Sequence, residues 1–535
     1  MYLKTCVVGF LFFFAGFTNT FVSPFFLTPW LRKKLLFTSS TNSSPIIPKY
    51  IQEPNKRQFF GIIGPNIHPD KVKTLFELFT GDGVIQGIFV NGENITFAKH
   101  LIDTDKRREE ENQKNKENLL PDTLGMKLLK YFGYLIGINK YNNLGAANTA
   151  VLPISTPVDE NTTAAYALFE RDSPYLLHFY HNTSTIKTVG KVKTPYPLSG
   201  HSKYSINCCG TRVIESIDYH IFARKLMYYT MDENLTKVLS KHFIKTRYIP
   251  IIHDFLSTSD SIVIIDSPLV FDFPKLLNGK MPIRFEKSLP TYIHVLHKTT
   301  GHVSTYKLYS PFYLFHFAKY VDTFKQLEIY APLYDDIDFD TIKIKGRYRK
   351  IVIDKCHKTA YVCNNLETEK YNLDFPVEDV LGNIILRNIK NRKINGYVRV
   401  NNAMAITKQW MFDNIFFCGE PIAVRLNNKN GLIAFGNNIK SADIQGFAKS
   451  RGRSPSAIFG RDEVSHEVSP EVSPEVSPEV SPEVSPEVSH EVSHEVSYEN
   501  APGGLVLLNM DDGTVVKISV NDSLTMGFHT VSIIK

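Results

Sequence analysis

The sequence has little cysteine and almost no tryptophan. Its 535 residues include six Cys and two Trp. One cysteine, Cys6, lies close to the amino terminus, and no pair among the other five has the spacing of a zinc site. A set this sparse and odd in number also excludes a disulfide-stabilised scaffold.

The chain also lacks a concentration of charge of one sign. The 61 Lys and Arg residues exceed the 54 Asp and Glu residues to give a net charge of +7, and the two signs are mixed along the body of the chain. No basic stripe interleaved with aromatic residues is present. We therefore expect no nucleic-acid partner.

The residues that are abundant favour an all-β fold. The chain contains 37 Phe and 26 Tyr, and short apolar segments alternate with clusters of Gly, Asn, Asp and Pro from residue 57 to residue 535. Regular short strands of this kind predict a sandwich, a barrel or a propeller, and one large propeller accounts for the length most economically. Exact repeats are absent from these segments, so periodicity does not predict the number of blades.

The amino-terminal residues have the layout of a targeting leader. Residues 1–22 carry a Lys near the start and an apolar run from Cys6 to Phe17, which predicts a secretory signal peptide. Residues 23–56 are basic and rich in hydroxyl side chains, with no acid before Glu53. They are typical of either a plastid transit segment or an irregular secreted terminus. We expect entry into the secretory pathway, followed by a plastid-type organelle or secretion, with the protein peripheral to a membrane.

An insertion at residues 103–139 interrupts the strand pattern. Residues 103–118 form a mixed-charge run, which predicts a solvated loop or an exposed helix. The segment Met126–Asn139 then places Leu128, Phe132 and Leu135 on one face of a helix. This helix either packs on the body of the protein or inserts into a membrane surface, where an apolar substrate would be found.

A second interruption, residues 463–498, consists of nine E-V-S-X tetrads in which X is Pro, His or Tyr. Its four-residue period and frequent Pro fit neither a helix face nor a strand, which predicts a disordered loop. Its insertion costs little closure entropy once its ends are anchored. One alternative for the whole chain is a secreted interaction protein whose active part is this repeat.

The stretch Ile249–Phe271 predicts a β-hairpin with a histidine on its inner face. Residues 249–255 alternate in polarity, residues 256–260 have turn composition, and Ser261–Asp266 is an apolar strand covered on both faces. On this evidence alone, His253 is either a core histidine satisfied by one hydrogen bond or a functional residue.

Ten short motifs occur along the body of the chain in one order. They are GPN (64–66), GDGVIQGI (81–88), GAANT (145–149), LFERDSPYLL with Glu170, GHSKY with His201, HDF with His253, LFHFAKY with His316, DFP with Asp374, GEP with Glu420, and GFH with His529. In this order they resemble the carotenoid cleavage oxygenases, which include apocarotenoid and stilbene oxygenases and the retinoid isomerase of the eye. The resemblance covers residues 57–535 apart from the two insertions. It implies a seven-bladed β-propeller with a few helices over its top face.

The resemblance also implies a metal site. In the family, four histidines bind Fe(II) on the propeller axis, and the matching residues are His201, His253, His316 and His529. Four neutral imidazoles leave positions at the ion open for dioxygen, with no carboxylate ligand. Three carboxylates orient ligand histidines in the family, and the matching residues are Glu170, Asp374 and Glu420.

Several positions depart from the family pattern. Asp374 stands where a Glu is usual, so we expect either a shifted backbone or a bridging water at its bond to a histidine, and weakened iron binding. GHSKY lacks the usual Pro after the first ligand, HFAKYVD replaces the usual N-A-Y-E continuation, and GFHT ends where a Gly is expected. These features indicate a divergent member.

The activity implied is a dioxygenase reaction that cleaves a C=C double bond of a carotenoid, apocarotenoid or related conjugated substrate to two carbonyl products. The implied partners are an apolar conjugated small molecule and dioxygen. Two alternatives use the same fold. One is a retinoid-type isomerohydrolase. The other is a propeller that binds a carotenoid or a lipid without catalysis, and the departure at Asp374 from the family pattern favours it.

Overall fold

The structure is a computed structural model that describes residues 57–438 and 503–534, with gaps at 93, 115–129, 131–132, 134–143, 208–209, 279, 427–428, 512–514 and 521. Four predictions concern residues outside this part. They are the signal peptide (1–22), the segment 23–56, nearly all of the helix 126–139, and the E-V-S-X repeat (463–498).

The described residues form an all-β fold, as predicted, with strands that pair antiparallel. The first sheet contains β1 (Arg57–Pro65), β2 (Gly83–Asn91), β3 (Asn94–Leu101) and the last strand, β32 (His529–Ile534). The second contains β4 (Ala150–Pro153), β5 (Thr162–Leu168), β6 (Tyr175–Tyr180) and β7 (Thr185–Lys191). The third contains β8 (Lys203–Ile206), β9 (Arg212–His220), β10 (Lys225–Met231) and β11 (Val238–Lys245).

The next sheets follow in chain order. The fourth contains β12 (Leu256–Ser257), β13 (Ser261–Asp266), β16 (Thr291–His297) and β17 (Val303–Leu308), with the pair β14 (Leu269–Phe271) and β15 (Ile283–Phe285) beside it in sequence. The fifth contains β18 (Tyr313–Leu314), β19 (Lys319–Asp322), β20 (Gln326–Tyr334), β21 (Gly346–Asp354) and β22 (Thr359–Cys363).

A nine-stranded sheet completes the described strands. It contains β23 (Leu373–Glu378), β24 (Ile384–Lys390), β25 (Lys393–Val400), β26 (Ile406–Met411), β27 (Phe416–Phe417), β28 (Ile422–Leu426), β29 (Lys429–Asn437), β30 (Gly503–Asn509) and β31 (Val515–Ser519). The short β27 joins two groups of four strands. The number of seven blades therefore stays a prediction.

Helices are few and short in the described part of the chain. They are α1 (Leu75–Thr80), α2 (Asp105–Lys114), α3 (Phe273–Leu277) and a 3-10 turn at Pro69–Lys71. Thr74 and Glu77 form a capping box that begins α1. None of these helices is long and apolar enough to span a membrane.

Side-chain alternation explains the strands and their packing. In β6, Tyr175, Leu177 and Phe179 are buried while the residues between them are partly exposed, which is the period-2 pattern of a strand with one core face. In β5 every residue is buried, because both faces are covered. The first and last strands pair with each other, and Ile63 lies opposite His529. This pairing brings the two ends of the described chain together.

The structure confirms one of the two strands predicted in the hairpin Ile249–Phe271. Ser261–Asp266 is a strand buried on both faces, as predicted. Residues 249–255, however, form no strand, and the partner strand is reduced to Leu256–Ser257. The carboxylate of Asp254 accepts hydrogen bonds from the backbone N–H groups of Phe255 and Phe317. Hydrogen bonds to a side chain therefore take the place of strand pairing in this segment.

Candidate metal centre

Four histidines from distant parts of the chain meet at one point. His201, His253, His316 and His529 each offer a ring nitrogen, and these nitrogens all lie within 4.8 Å of one another. His201 and His253 lie in segments between sheets, His316 follows β18, and His529 begins β32. The structure thus brings together all four predicted ligands.

The ring nitrogens at this point have the environment of metal ligands. Nε2 of His201 lies 3.0 Å from Nε2 of His253. Two nitrogen ligands about 2.1 Å from one ion and at right angles to each other are also about 3.0 Å apart. Nε2 of His316 and Nε2 of His529 are buried and have no hydrogen-bond partner. Buried polar atoms are seldom left unpaired, so a cation that accepts all four lone pairs fits the site.

Two of the four imidazoles, His201 and His316, are held in the neutral form that binds a metal. Burial lowers the pKa of His201 well below its usual value, and the neighbouring His253, His529 and His316 lower it further. Burial also lowers the pKa of His316, although Asp374 opposes the effect. Protonation of His201 and His316 is therefore disfavoured by desolvation and by repulsion from the neighbouring histidines.

Three carboxylates contact three of the four histidines at Nδ1. Oδ1 of Asp374 lies 2.8 Å from His316, and Oε2 of Glu420 lies 3.1 Å from His529. Oε1 of Glu170 lies 2.8 Å from His253, but without the alignment of a full hydrogen bond. A proton held on Nδ1 leaves the Nε2 lone pair directed at the common point. The predicted acids therefore all lie beside histidines of the cluster.

The bond from Asp374 to His316 is direct, with no bridging water required. The pairing of β23 with β24 is irregular between Asp374 and Val377, and Phe375 has a positive φ of 54°. A positive φ is uncommon for a bulky residue and stores strain. The structure thus has the shifted backbone that was one of the two expectations for a shorter acid. Although burial raises the pKa of Asp374, its contact with His316 lowers it to about 2.

Glu420 also ties the last strand to the centre. Its Oε1 accepts hydrogen bonds from the backbone N–H and from Oγ1 of Thr530, while Oε2 contacts His529. One carboxylate therefore fixes two consecutive residues of β32. This restricts both the position of His529 and the rotation of its ring.

Aromatic rings surround the histidines. The ring centre of Phe375 lies 4.4 Å from that of His316 and 5.1 Å from that of His529, and the ring of Phe315 lies 5.5 Å from His253. Phe79, at the end of α1, lies 5.9 Å from His253. The sequence did not predict which aromatic residues line the site. Phe315 and Phe375 could have been predicted, since each is adjacent in sequence to a predicted ligand or acid.

A second group that the sequence did not predict links three ligand segments. Asp254, buried next to His253, accepts a bond of 2.6 Å from Nζ of Lys203 and one of 3.1 Å from the backbone N–H of Phe317. Lys203 lies two residues after His201, and Phe317 directly follows His316. We call Lys203, Asp254 and the Phe317 amide the ligand brace, because they fix three histidine segments relative to one another.

A family model described as the retinal pigment epithelial membrane protein, RPE65, matches residues 60–432, which is well over half of the chain. The chain belongs to the RPE65 family. The resemblance predicted from the order of the motifs is thereby confirmed. No curated protein matches the chain in a search by sequence.

Solved structures with this fold are similar over most of the chain. A variant of the Synechocystis apocarotenoid oxygenase is 16% identical, with a TM-score of 0.62, over 91% of this chain and 94% of that one. A cobalt-substituted form of the Synechocystis enzyme is 15% identical, with a TM-score of 0.61, over 90% and 93%. The lignostilbene dioxygenase of Pseudomonas brassicacearum is 15% identical, with a TM-score of 0.60, over 91% and 93%. The fold of this RPE65 family member is therefore that of the carotenoid oxygenase structures, and the predicted propeller class is confirmed.

Proposed function

We propose that this protein is a non-haem Fe(II)-dependent dioxygenase that cleaves a C=C double bond of an apolar conjugated substrate, such as a carotenoid or an apocarotenoid. The observation that carries the proposal is the convergence of four imidazoles, two of which have buried Nε2 atoms without a hydrogen-bond partner. Membership of the RPE65 family supports an oxygenase-type activity. The balanced reaction takes one alkene and one O2 to two carbonyl products.

His201, His253, His316 and His529 would hold the iron. When bound, the ion supplies the activation of dioxygen, which no amino-acid side chain provides. Four neutral nitrogen ligands, with no carboxylate ligand, suit a soft-to-borderline divalent ion and leave coordination positions open. Asp374 and Glu420 would hold a proton on Nδ1 of His316 and His529, and Glu170 lies 2.8 Å from the same atom of His253.

The aromatic side chains would position the substrate and exclude water. Phe375 stacks at 20° against Phe528 and at 28° against His529, so flat surfaces lie beside the cluster. A flat conjugated chain packs well on such surfaces. Holding one double bond beside the centre in this way contributes to catalysis by orientation.

The predicted membrane contact is also part of the proposal, but through a different surface. Phe222, Phe271 and Phe273 are 63%, 39% and 61% exposed, and Phe271 stacks on both of the others with centroids 6.2 Å apart. We call these three residues the phenylalanine patch. Leu269 of the same strand belongs to an apolar cluster that also contains Phe375 and Phe528. The strand that carries Phe271 therefore also contributes to the apolar cluster beside the metal centre, which fits delivery of an apolar substrate from a lipid surface.

Entry into the secretory pathway is proposed on the sequence of residues 1–22. A fluorescent reporter fused to residues 1–56 should enter the endoplasmic reticulum and then reach a plastid-type organelle or the medium. A reporter that stays in the cytosol would contradict the proposal.

Two measurements on the purified protein test the main proposal. We expect about one iron per chain, lost in the variant His253→Ala. Incubation with a panel of carotenoids, apocarotenoids and stilbenes under labelled oxygen gas should then give carbonyl products that carry the label. An isomerised alcohol without label would indicate an isomerohydrolase, and a folded protein free of iron would indicate a non-catalytic binding protein.

A further inference from the structure

A single arginine lies next to the metal centre. Arg387 on β24 is the register partner of Asp374 on β23, so the two side chains lie on the same face of the sheet. The guanidinium carbon of Arg387 is 3.8 Å from the ring centre of Phe375. The same ring also lies against the rings of His316 and His529, at 4.4 Å and 5.1 Å between centres. Only one aromatic ring therefore separates this cation from two of the four histidines.

Arg387 contacts the ring of Phe375, but within the described residues no carboxylate lies at contact distance from its guanidinium group. Its Nε atom is buried without a hydrogen bond, and within the described residues Arg387 forms no ion pair. Arg399, on the neighbouring strand β25, instead contacts Asp379 at 2.7 Å through both Nε and an amino nitrogen. Burial lowers the pKa of Arg387, which reflects the cost of a desolvated cation, while Asp374, Tyr334, Tyr397 and Glu420 act in the opposite direction.

Nearby groups already occupy the carboxylates that face Arg387. Asp374 accepts from His316 and from the hydroxyl of Tyr334, and Glu420 accepts from His529 and Thr530. Arg387 thus acts on these carboxylates through space and not by a shared hydrogen bond. A desolvated cation without a paired carboxylate is costly, and such groups are candidates for a functional role.

The total formal charge around the metal centre depends on Arg387. An imidazole binds a metal ion in its neutral form, so the four histidines add no formal charge, and the three carboxylates of Glu170, Asp374 and Glu420 count as one negative charge each. Together with Arg387, a divalent ion makes the whole group electrically neutral. Without Arg387 the group would carry one net negative charge, and a trivalent ion would then be the neutral state.

We propose that Arg387 balances the charge of the metal centre and thereby favours the divalent over the trivalent state of the bound ion. The inference rests on the proposed function, since it assumes that the four histidines bind iron. Removal of a unit charge about 10 Å from the ion, at an effective dielectric constant of about 20, shifts the ratio of trivalent to divalent ion by roughly tenfold. The oxidised state should gain in a variant without the cation.

The experiment is a redox titration of the iron-loaded protein, followed by the electron paramagnetic resonance signal of ferric iron. The variants Arg387→Met and Arg387→Gln should have a lower midpoint potential than the wild type, so that ferric iron is favoured by roughly tenfold. Arg387→Lys keeps the charge and should titrate close to the wild type. The control is Arg425→Gln, which removes an exposed cation from the same nine-stranded sheet and should leave the potential unchanged.

Met is included because it fills the space against Phe375 without a charge, so a failure of the Gln variant to fold does not end the test. An unchanged potential in folded, iron-loaded Arg387→Met would overturn the inference alone. A wild-type protein that binds no metal would overturn both the inference and the proposed function. A purely structural role for Arg387 would lower the melting temperature without a change in the potential.

Discussion

The hydroxyl of Tyr334 donates a 2.5 Å hydrogen bond to Oδ2 of Asp374, while the other oxygen of the same carboxylate contacts His316. Tyr334 ends β20 in the fifth sheet, and Asp374 lies on β23 in the nine-stranded sheet. The bond therefore holds the shorter acid from the side opposite to the histidine. It explains how an aspartate reaches a ring that a glutamate serves elsewhere in the family.

We expect Asp374→Asn to reduce metal affinity by roughly 10- to 100-fold, because an amide can place an N–H against His316 and no longer fixes the ring. Tyr334→Phe should cause a smaller loss, since the carboxylate keeps its bond to His316. Competition with a chelator of known affinity measures both losses. Asp336→Asn, at an exposed ion pair with Lys287, is the control. Equal affinity in Asp374→Asn and the control would show that Asp374 has no part in metal binding.

The ligand brace leads to a second prediction. Asp254→Ala removes the acceptor for Lys203 and for the amides of Phe255 and Phe317, so three histidine segments lose their common attachment. We expect a loss of metal affinity of at least about tenfold together with a lower melting temperature, because a buried hydrogen-bonded charge is removed and its partners are left unpaired. Asp254→Asn should lie between Ala and the wild type. Asp260→Asn, in the exposed turn of the same hairpin, should change neither quantity.

The sequence predicted the chemistry of the centre better than its backbone. Motif order selected the four histidines and the three acids that the structure brings together, because each motif carries its residue at a fixed place, and their roles as ligands and as orienting acids stay predictions. The strand predicted at residues 249–255 was wrong, since local alternation cannot reveal that Asp254 binds backbone amides of another segment. The contacts of Tyr334 and Arg387 with Asp374 and Phe375 depend on pairing between strands and sheets. No pattern within a short stretch of sequence encodes such contacts.

His100 gives the protein a defined acid sensitivity away from the metal centre. Burial lowers its pKa to about 4, and Arg107 contributes while Asp103 opposes the change. In the unfolded chain the pKa is about 6.5. Between pH 6.5 and about 4, His100 is therefore protonated in the unfolded state but not in the folded state. The free energy of unfolding falls as the pH is lowered through this range.

The variant His100→Gln should remove this part of the acid sensitivity. Gln keeps a partner for Thr188, which His100 contacts at 2.9 Å through Nε2, but it does not titrate. As the pH falls from 6.5 to about 4, the melting temperature of the wild type should fall relative to that of the variant, and above pH 6.5 the difference between the two should be constant. Parallel curves over the whole range would show that His100 titrates in the folded protein as it does in the unfolded chain.

The phenylalanine patch predicts a measurable affinity for lipid. Burying one Phe side chain contributes about 1.5 to 3 kcal/mol, so the triple variant Phe222→Ser, Phe271→Ser, Phe273→Ser should lose most of its binding to phosphatidylcholine vesicles in a flotation assay. Phe324→Ser is the matched control, since Phe324 is 91% exposed in the turn between β19 and β20, away from the patch in sequence. Equal flotation of the triple variant and the control would exclude the patch as a lipid contact.

Deletion of the E-V-S-X repeat tests whether that segment carries the function. Asn437 at the end of β29 lies opposite Gly503 at the start of β30, so residues 438–502 connect two neighbouring antiparallel strands. A loop between such strands can be shortened with little cost, because closure entropy changes slowly with length. We expect a variant in which a short Gly-Ser turn replaces residues 440–500 to keep the melting temperature, the iron content and the cleavage activity of the full chain. Loss of activity with unchanged iron content and melting temperature would instead indicate that the repeat carries the function of the protein.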